Sequence, residues 1–221
     1  VALAFEMKRA SAEELSFRAA EIRRTLAGEI AAPDATARAL ARCHLRRRFR
    51  TETLADLATA LRSRSAAQAL TQGDLESSTL GLVRALVVAW LGETTGEIED
   101  LGSALVRLAA LVRLGPDLAA GTCPLAAAEA GPIERPGRPP AKLPSALAAE
   151  CTRLRSILLK APRALVELPE GTRRAAAFAV FVAIRLLSRI EEGDASLLAE
   201  PPRVGRLASW RLWARARWLG V

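Results

Sequence analysis

The chain has no tyrosine, a single methionine, a single histidine and only 4% aromatic residues in 221. Sheets are built from β-branched and aromatic side chains, and no period-2 run of them occurs, so strands are not expected. Alanine, leucine and arginine dominate instead, which is a helix-forming composition. The lone His44 lies among arginines with no acid near it in sequence, which leaves no Ser-His-Asp arrangement. Cys43, Cys123 and Cys151 are odd in number and lack short paired spacing, which argues for free thiols in a reducing compartment. Cys43 and His44 are neighbours, so on a helix they point about 100° apart, and no second pair completes a metal set. Aspartate is scarce as well: Asp34, Asp56, Asp74, Asp100, Asp117 and Asp194 are all there are, and no two lie within two turns of helix. Long apolar runs are also missing. The longest uncharged stretch in a helical context, Ala175 to Ile184, has ten residues, against the ~20 needed to cross a bilayer. It predicts a soluble protein with one deeply buried helix.

What is present is enough for one substantial core. At 51% hydrophobic, the expectation is an all-α fold with one domain over 1–221. Punctuation divides it into helices at Ala12–Ile30, Asp34–Arg48, Thr51–Leu70, Asp74–Leu91, Glu97–Arg113, Leu143–Val166, Glu170–Glu191 and Val204–Leu219. Asp34, Thr51 and Asp74 are N-cap candidates, and Glu97, Glu99 and Asp100 complement the positive end of their helix. Gly28, Gly73, Gly92 and Gly193 read as stops. Five prolines and two glycines between Gly131 and Pro144 make a loop. Glu93, Glu97 and Asp100, spaced 4 and 3, would share a face on a continuous helix. Gly92 and Gly96 interrupt it, so these acids read as a solvated helix start and not as a metal site.

One stretch carries a resemblance. Ile98, Leu101, Leu105, Leu108 and Val112 make a buried helical face. Arg113 then leads into Leu114, Gly115, Pro116, Asp117 and Leu118, a turn, and Cys123-Pro124. This layout resembles the second aspartate-rich segment of the squalene/phytoene synthase family, with leucines Leu114 and Leu118 at both aspartate positions. Ala4-Phe5 resembles the entry to the first such motif, which places Ala10, Ser11 and Glu14 where three acids are expected. Phe17–Gly28, Thr79–Gly92 and Leu186–Trp218 are similar to further helices of the family, and the Pro-rich loop 131–144 falls at its active-site rim. The resemblance implies an isoprenoid-synthase-like helical bundle, with more helix in the family before the segment that opens this chain. It also implies a pseudoenzyme. The family holds prenyl diphosphates through Mg²⁺, and a hard cation needs converging carboxylate oxygens, of which only Glu14 supplies one. No catalytic, cofactor or metal residues are therefore assigned. The pattern is closest to the non-catalytic branch typified by a mitochondrial complex I assembly factor, which implies a matrix location, although Glu6, Glu13 and Glu14 make the start unlike a transit peptide.

Charge is left to carry function. The net charge is +8. Six arginines and no acid occupy Ala35–Arg50, including Arg46, Arg47 and Arg48, and five more with no acid occupy Pro201–Val221. Arg211, Arg215 and Arg217 there are interleaved with Trp213, and arginine and tryptophan dominate interface hot spots. Leu207, Trp210, Ala214 and Trp218 form a stripe expected to pack internally, with Trp213 off it and free for an external contact. Three readings follow: a structural subunit or assembly factor of a respiratory complex, an RNA-contacting ribosomal or ribosome-assembly protein, and a non-catalytic lipid binder. Peripheral membrane contact is compatible with the first.

Overall fold

The structure, a computed structural model, describes residues 71–91, 94–193 and 202–218, together with 17, 20–22, 24–31, 33, 38 and 41. Those residues are helical, without strands, as the composition predicts. The helices are α1 Gln72–Leu91, α2 Gly96–Leu111, α3 Leu114–Ala119, α4 Ala127–Ala130, α5 Leu143–Leu159, α6 Ala161–Glu167, α7 Glu170–Glu192 and α8 Arg206–Trp218. By contact the chain divides into two compact units, Val1–Ala67 with Leu80–Thr94, and Gln68–Thr79 with Thr95–Val221, and α1 contributes to both.

In the first unit, a helix ends at Gly28, whose φ of 78° suits glycine. The Gly28 amide donates to the Thr25 carbonyl and the Glu29 amide to the Arg24 carbonyl, the paired bonds of a Schellman stop. Ile22, Leu82 and Val83 are buried there.

The second unit is built on α2, α5 and α7, which pack against one another. Helix α6 lies against all three, α4 against α5, and α8 against α7. The α2 core face is Ile98, Leu101, Ala104, Leu108 and Leu111, with Leu105 and Val112 only half-buried, so the face is rotated from the one read in the sequence. Helix α7 buries Ala177, Val180, Ala183, Leu187 and Ile190, while Ala175 is exposed. It is one-sided and not buried all round, because Arg174, Arg185 and Arg189 must keep one face at the surface.

Proline sets the helix breaks that periodicity misses. The expected continuous helix Leu143–Val166 is two, because Pro162 has no N–H for the Leu158 carbonyl and its ring crowds that turn. Likewise Pro116 separates α3 from α2. Pro144 falls in the first turn of α5, where a missing donor costs nothing. Helix α1 is capped by Thr71 and not by Asp74. The Asp74 amide donates to Thr71 Oγ1 at 3.2 Å, and the Thr71 amide donates back to the Asp74 carboxylate at 2.9 Å, a reciprocal capping box. Gly73 therefore lies inside the first turn and is no stop. Thr95 caps α2, its hydroxyl accepting from the Ile98 amide, so the chain does break between Leu91 and Gly96 as the glycines suggest.

Candidate functional site

The turn that carries the resemblance is short and internal. Arg113 precedes α3, and Leu114 and Leu118 sit one turn apart within it, each 3% exposed. Neither side chain can offer an oxygen to a cation. Asp117, also buried, sits beside Arg113, with its carboxylate 3.9 Å from the Arg113 Nε. The Thr122 amide and hydroxyl both donate to the Asp117 carbonyl, at 2.8 and 3.0 Å, and fold the chain into the turn before Cys123. That turn needs Gly121, whose φ is 75° and whose missing Cβ would lie 3.5 Å from the Pro136 ring.

The Pro-rich loop closes over this turn. The Gly137 amide donates to the Leu118 carbonyl at 2.8 Å, and the Lys142 amide to the Ala130 carbonyl at 3.2 Å. Pro140 is buried beneath it. The loop is thus pinned to the end of α3 by one backbone hydrogen bond and to the end of α4 by another. Ala10, Ser11 and Glu14 lie outside the described residues, as do Arg46, Arg47, Arg48, Cys43, His44 and Glu93. Among the described residues, no group of three His, Cys, Asp or Glu side chains is placed to hold a metal ion.

Glu97 and Asp100 line a cleft of about 310 Å³ together with Lys160 and Arg163. Their charge is opposed by cations, which fits the solvated reading better than a metal site. Cys151 is buried, and burial, reinforced by the Glu191 and Glu150 carboxylates, pushes its thiol up to about 11. Burial also raises Cys123. Neither thiol is activated as a nucleophile.

A polar cluster that sequence reading missed lies in the core. Arg107 on α2 and Glu150 on α5 are 6% and 1% exposed. The Arg107 Nε donates to Glu150 Oε1 at 2.6 Å and its Nη2 to Oε2, a bidentate pair. Glu76 approaches Arg107 at 3.4 Å, and Arg153 lies 3.5 Å from Glu150 while pairing in two bonds with Glu129. The only signal in the sequence is an arginine inside an apolar helical run. Its partner stands on another helix 43 residues away, and periodicity along one helix does not point to it.

The C-terminal helix reverses one expectation. Leu207 and Trp210 are 78% and 66% exposed, so their stripe faces outward and not into the core. The opposite side, with Ala216 buried and Ala208, Ser209 and Leu212 half-buried, packs on α7. Small residues let the helix seat closely there, which turns the bulky stripe away. Trp213 is 49% exposed, as expected of a residue off the buried face. The Arg217 guanidinium lies 5.6 Å from its ring centre, and Arg215 lies 5.2 Å from that of Phe181 on α7. Arg215 therefore reaches across to α7, and all three of Arg211, Arg215 and Arg217 are exposed.

This arrangement of helices is that of an isoprenoid synthase. A crystal structure of a dehydrosqualene synthase in complex with ligand superposes with a TM-score of 0.75, covering 93% of this chain and 77% of that one at 16% identity. At that identity the likeness defines the fold alone: the chain has the helical fold of squalene/phytoene synthases. No family model matches the sequence, and no curated protein matches it.

Proposed function

We propose that this chain is a non-catalytic protein on the squalene/phytoene synthase fold, which works by binding and not by prenyl transfer. The observation that carries the reading is the pair Leu114 and Leu118, buried at 3% exposure where the resemblance puts Mg²⁺-binding aspartates. Leucine there removes the oxygens a hard cation requires and places two aliphatic side chains in the interior. The similarity to the branch typified by a mitochondrial complex I assembly factor suggests the setting: assembly of a respiratory complex at the matrix face of the inner membrane. The exposed α8 arginines Arg211 and Arg217, with Trp213, serve as contact surface, since five arginines without an acid between Pro201 and Val221 favour an anionic counterpart.

Incubation with radiolabelled prenyl diphosphates at millimolar Mg²⁺ tests the first part, with no condensation product expected above background. Product formation overturns it. Glutamate at Arg211 and Arg217 tests the second. The doubly charge-reversed protein is expected to lose co-migration with its native complex while keeping its helical circular dichroism, and unchanged co-migration contradicts the docking role.

A further inference from the structure

Helix α8 has two apolar faces. The inner one packs on α7, and the outer one runs through Leu207, Trp210 and Ala214, which at 100° per residue fall within an arc of about 60°. Arg206 and Arg217 follow one edge of that arc and Arg211 the other. All three arginines are exposed, and 202–218 contains no acid. We propose that this outer face binds the headgroup layer of an anionic phospholipid bilayer, with α8 lying flat in the interface.

The face is an apolar ridge with cations along both sides. Its occupant must be apolar in the middle and negative at both margins. A bilayer surface meets that demand in any direction, with acyl chains under Leu207 and the indole of Trp210 at headgroup depth, while arginines reach up to phosphates. A nucleic acid answers the arginines but leaves Leu207 against phosphate or water. An acidic protein needs a groove shaped to the ridge, with carboxylates on both rims. Among the described residues no helix is long and apolar enough to cross a membrane, so the contact is one of lying on the surface. The inference rests on reading α8 as the contact surface and names what it contacts.

The test is flotation of the full chain with phosphatidylcholine vesicles, with and without phosphatidylglycerol. Binding is expected only with the anionic lipid, falling as salt rises. Each basic residue near such a surface contributes roughly one kcal/mol, so glutamine at Arg206, Arg211 and Arg217 should weaken binding on the order of a hundredfold. Trp210→Glu should abolish it without changing the circular dichroism, because that side chain stands outside the fold. Tryptophan emission should shift to the blue on binding vesicles in the parent and by less in Trp210→Phe, a readout that electrostatic adsorption alone does not give. Equal binding to neutral and anionic vesicles, full binding by the Trp210→Glu variant, or binding to single-stranded RNA or an acidic protein without binding to vesicles overturns the proposal. Should vesicle binding fail while charge reversal at Arg211 and Arg217 still releases the native complex, the lipid assignment is wrong and the docking role stands. If charge reversal leaves the complex intact, the docking role itself fails.

Discussion

Removing one member of the Arg107–Glu150 pair should be among the most damaging single changes in the second unit. The two side chains are 6% and 2% exposed, so the carboxylate and guanidinium have given up nearly all their water for each other. In Glu150→Ala, Arg107 is left with Glu76 alone of its two carboxylate partners here, at 3.4 Å and with a side chain 51% exposed. Leaving such a charge buried without its partner costs about 3–5 kcal/mol. For a chain of this size each kcal/mol moves Tm by about 2–4 °C, which puts the expected drop at roughly 6–20 °C. Arg107→Ala should cost a similar amount, since Glu150 keeps only the Arg153 contact at 3.5 Å. Replacing both with leucine removes both desolvated charges and should be near neutral or stabilising. Urea unfolding of the parent, the two single alanine variants and the double alanine variant, followed by far-ultraviolet circular dichroism, closes the cycle. If either single change costs under about 1 kcal/mol, or if the double change costs the sum of the singles, the pair is not the coupled internal ion pair described above.

Leu118→Ala should destabilise by about 2–5 kcal/mol, as a buried leucine truncation does, and a loss under about 1 kcal/mol in urea would place that side chain outside the core. Cys151, in a variant with serine at Cys43 and Cys123, should react with a disulfide reagent only as fast as the protein opens. The folded thiol titrates at about 11 and the unfolded one at 9.0, so its contribution is fully present below pH 9.0 and lost as pH rises to about 11. The loss amounts to about 3 kcal/mol and should be absent in Cys151→Ala. Thr71→Ala should cost about 1 kcal/mol through loss of the α1 cap. Hydrogen bonds from Thr71 hold Asp74 below its ordinary value of 3.8, so the capping contribution is present above that value and fades as pH falls through the lower, folded one. An acid titration of Thr71→Ala that matches the parent would contradict this.

Helix class, the spans of α1, α2, α7 and α8 and the proline loop could be read from the chain because each depends on local chemistry, whereas α3, α4 and the break between α5 and α6 could not. Gly28 stops its helix by adopting positive φ, and α2 opens at Gly96 behind the Thr95 cap. What failed were decisions that depend on neighbours. The stripe of Leu207 and Trp210 has helical spacing, but spacing does not say which of two apolar faces meets the core. Helix α8 seats its alanines and serine against α7 and leaves the larger residues outside. The burial of Arg107 leaves no mark in the sequence around it, because its partner comes from another helix. Resemblance alone singles out the two leucines of α3, since nothing in their spacing distinguishes them from ordinary core residues.

Whether the diphosphate-holding metal cluster is absent can be measured without any turnover. Calorimetric titration of the full chain with an unreactive prenyl thiodiphosphate, in the presence and absence of Mg²⁺, compares the two conditions directly. No heat that depends on Mg²⁺ is expected, because Leu114 and Leu118 supply no oxygen to the ion. Saturable binding that appears only when Mg²⁺ is present would contradict it.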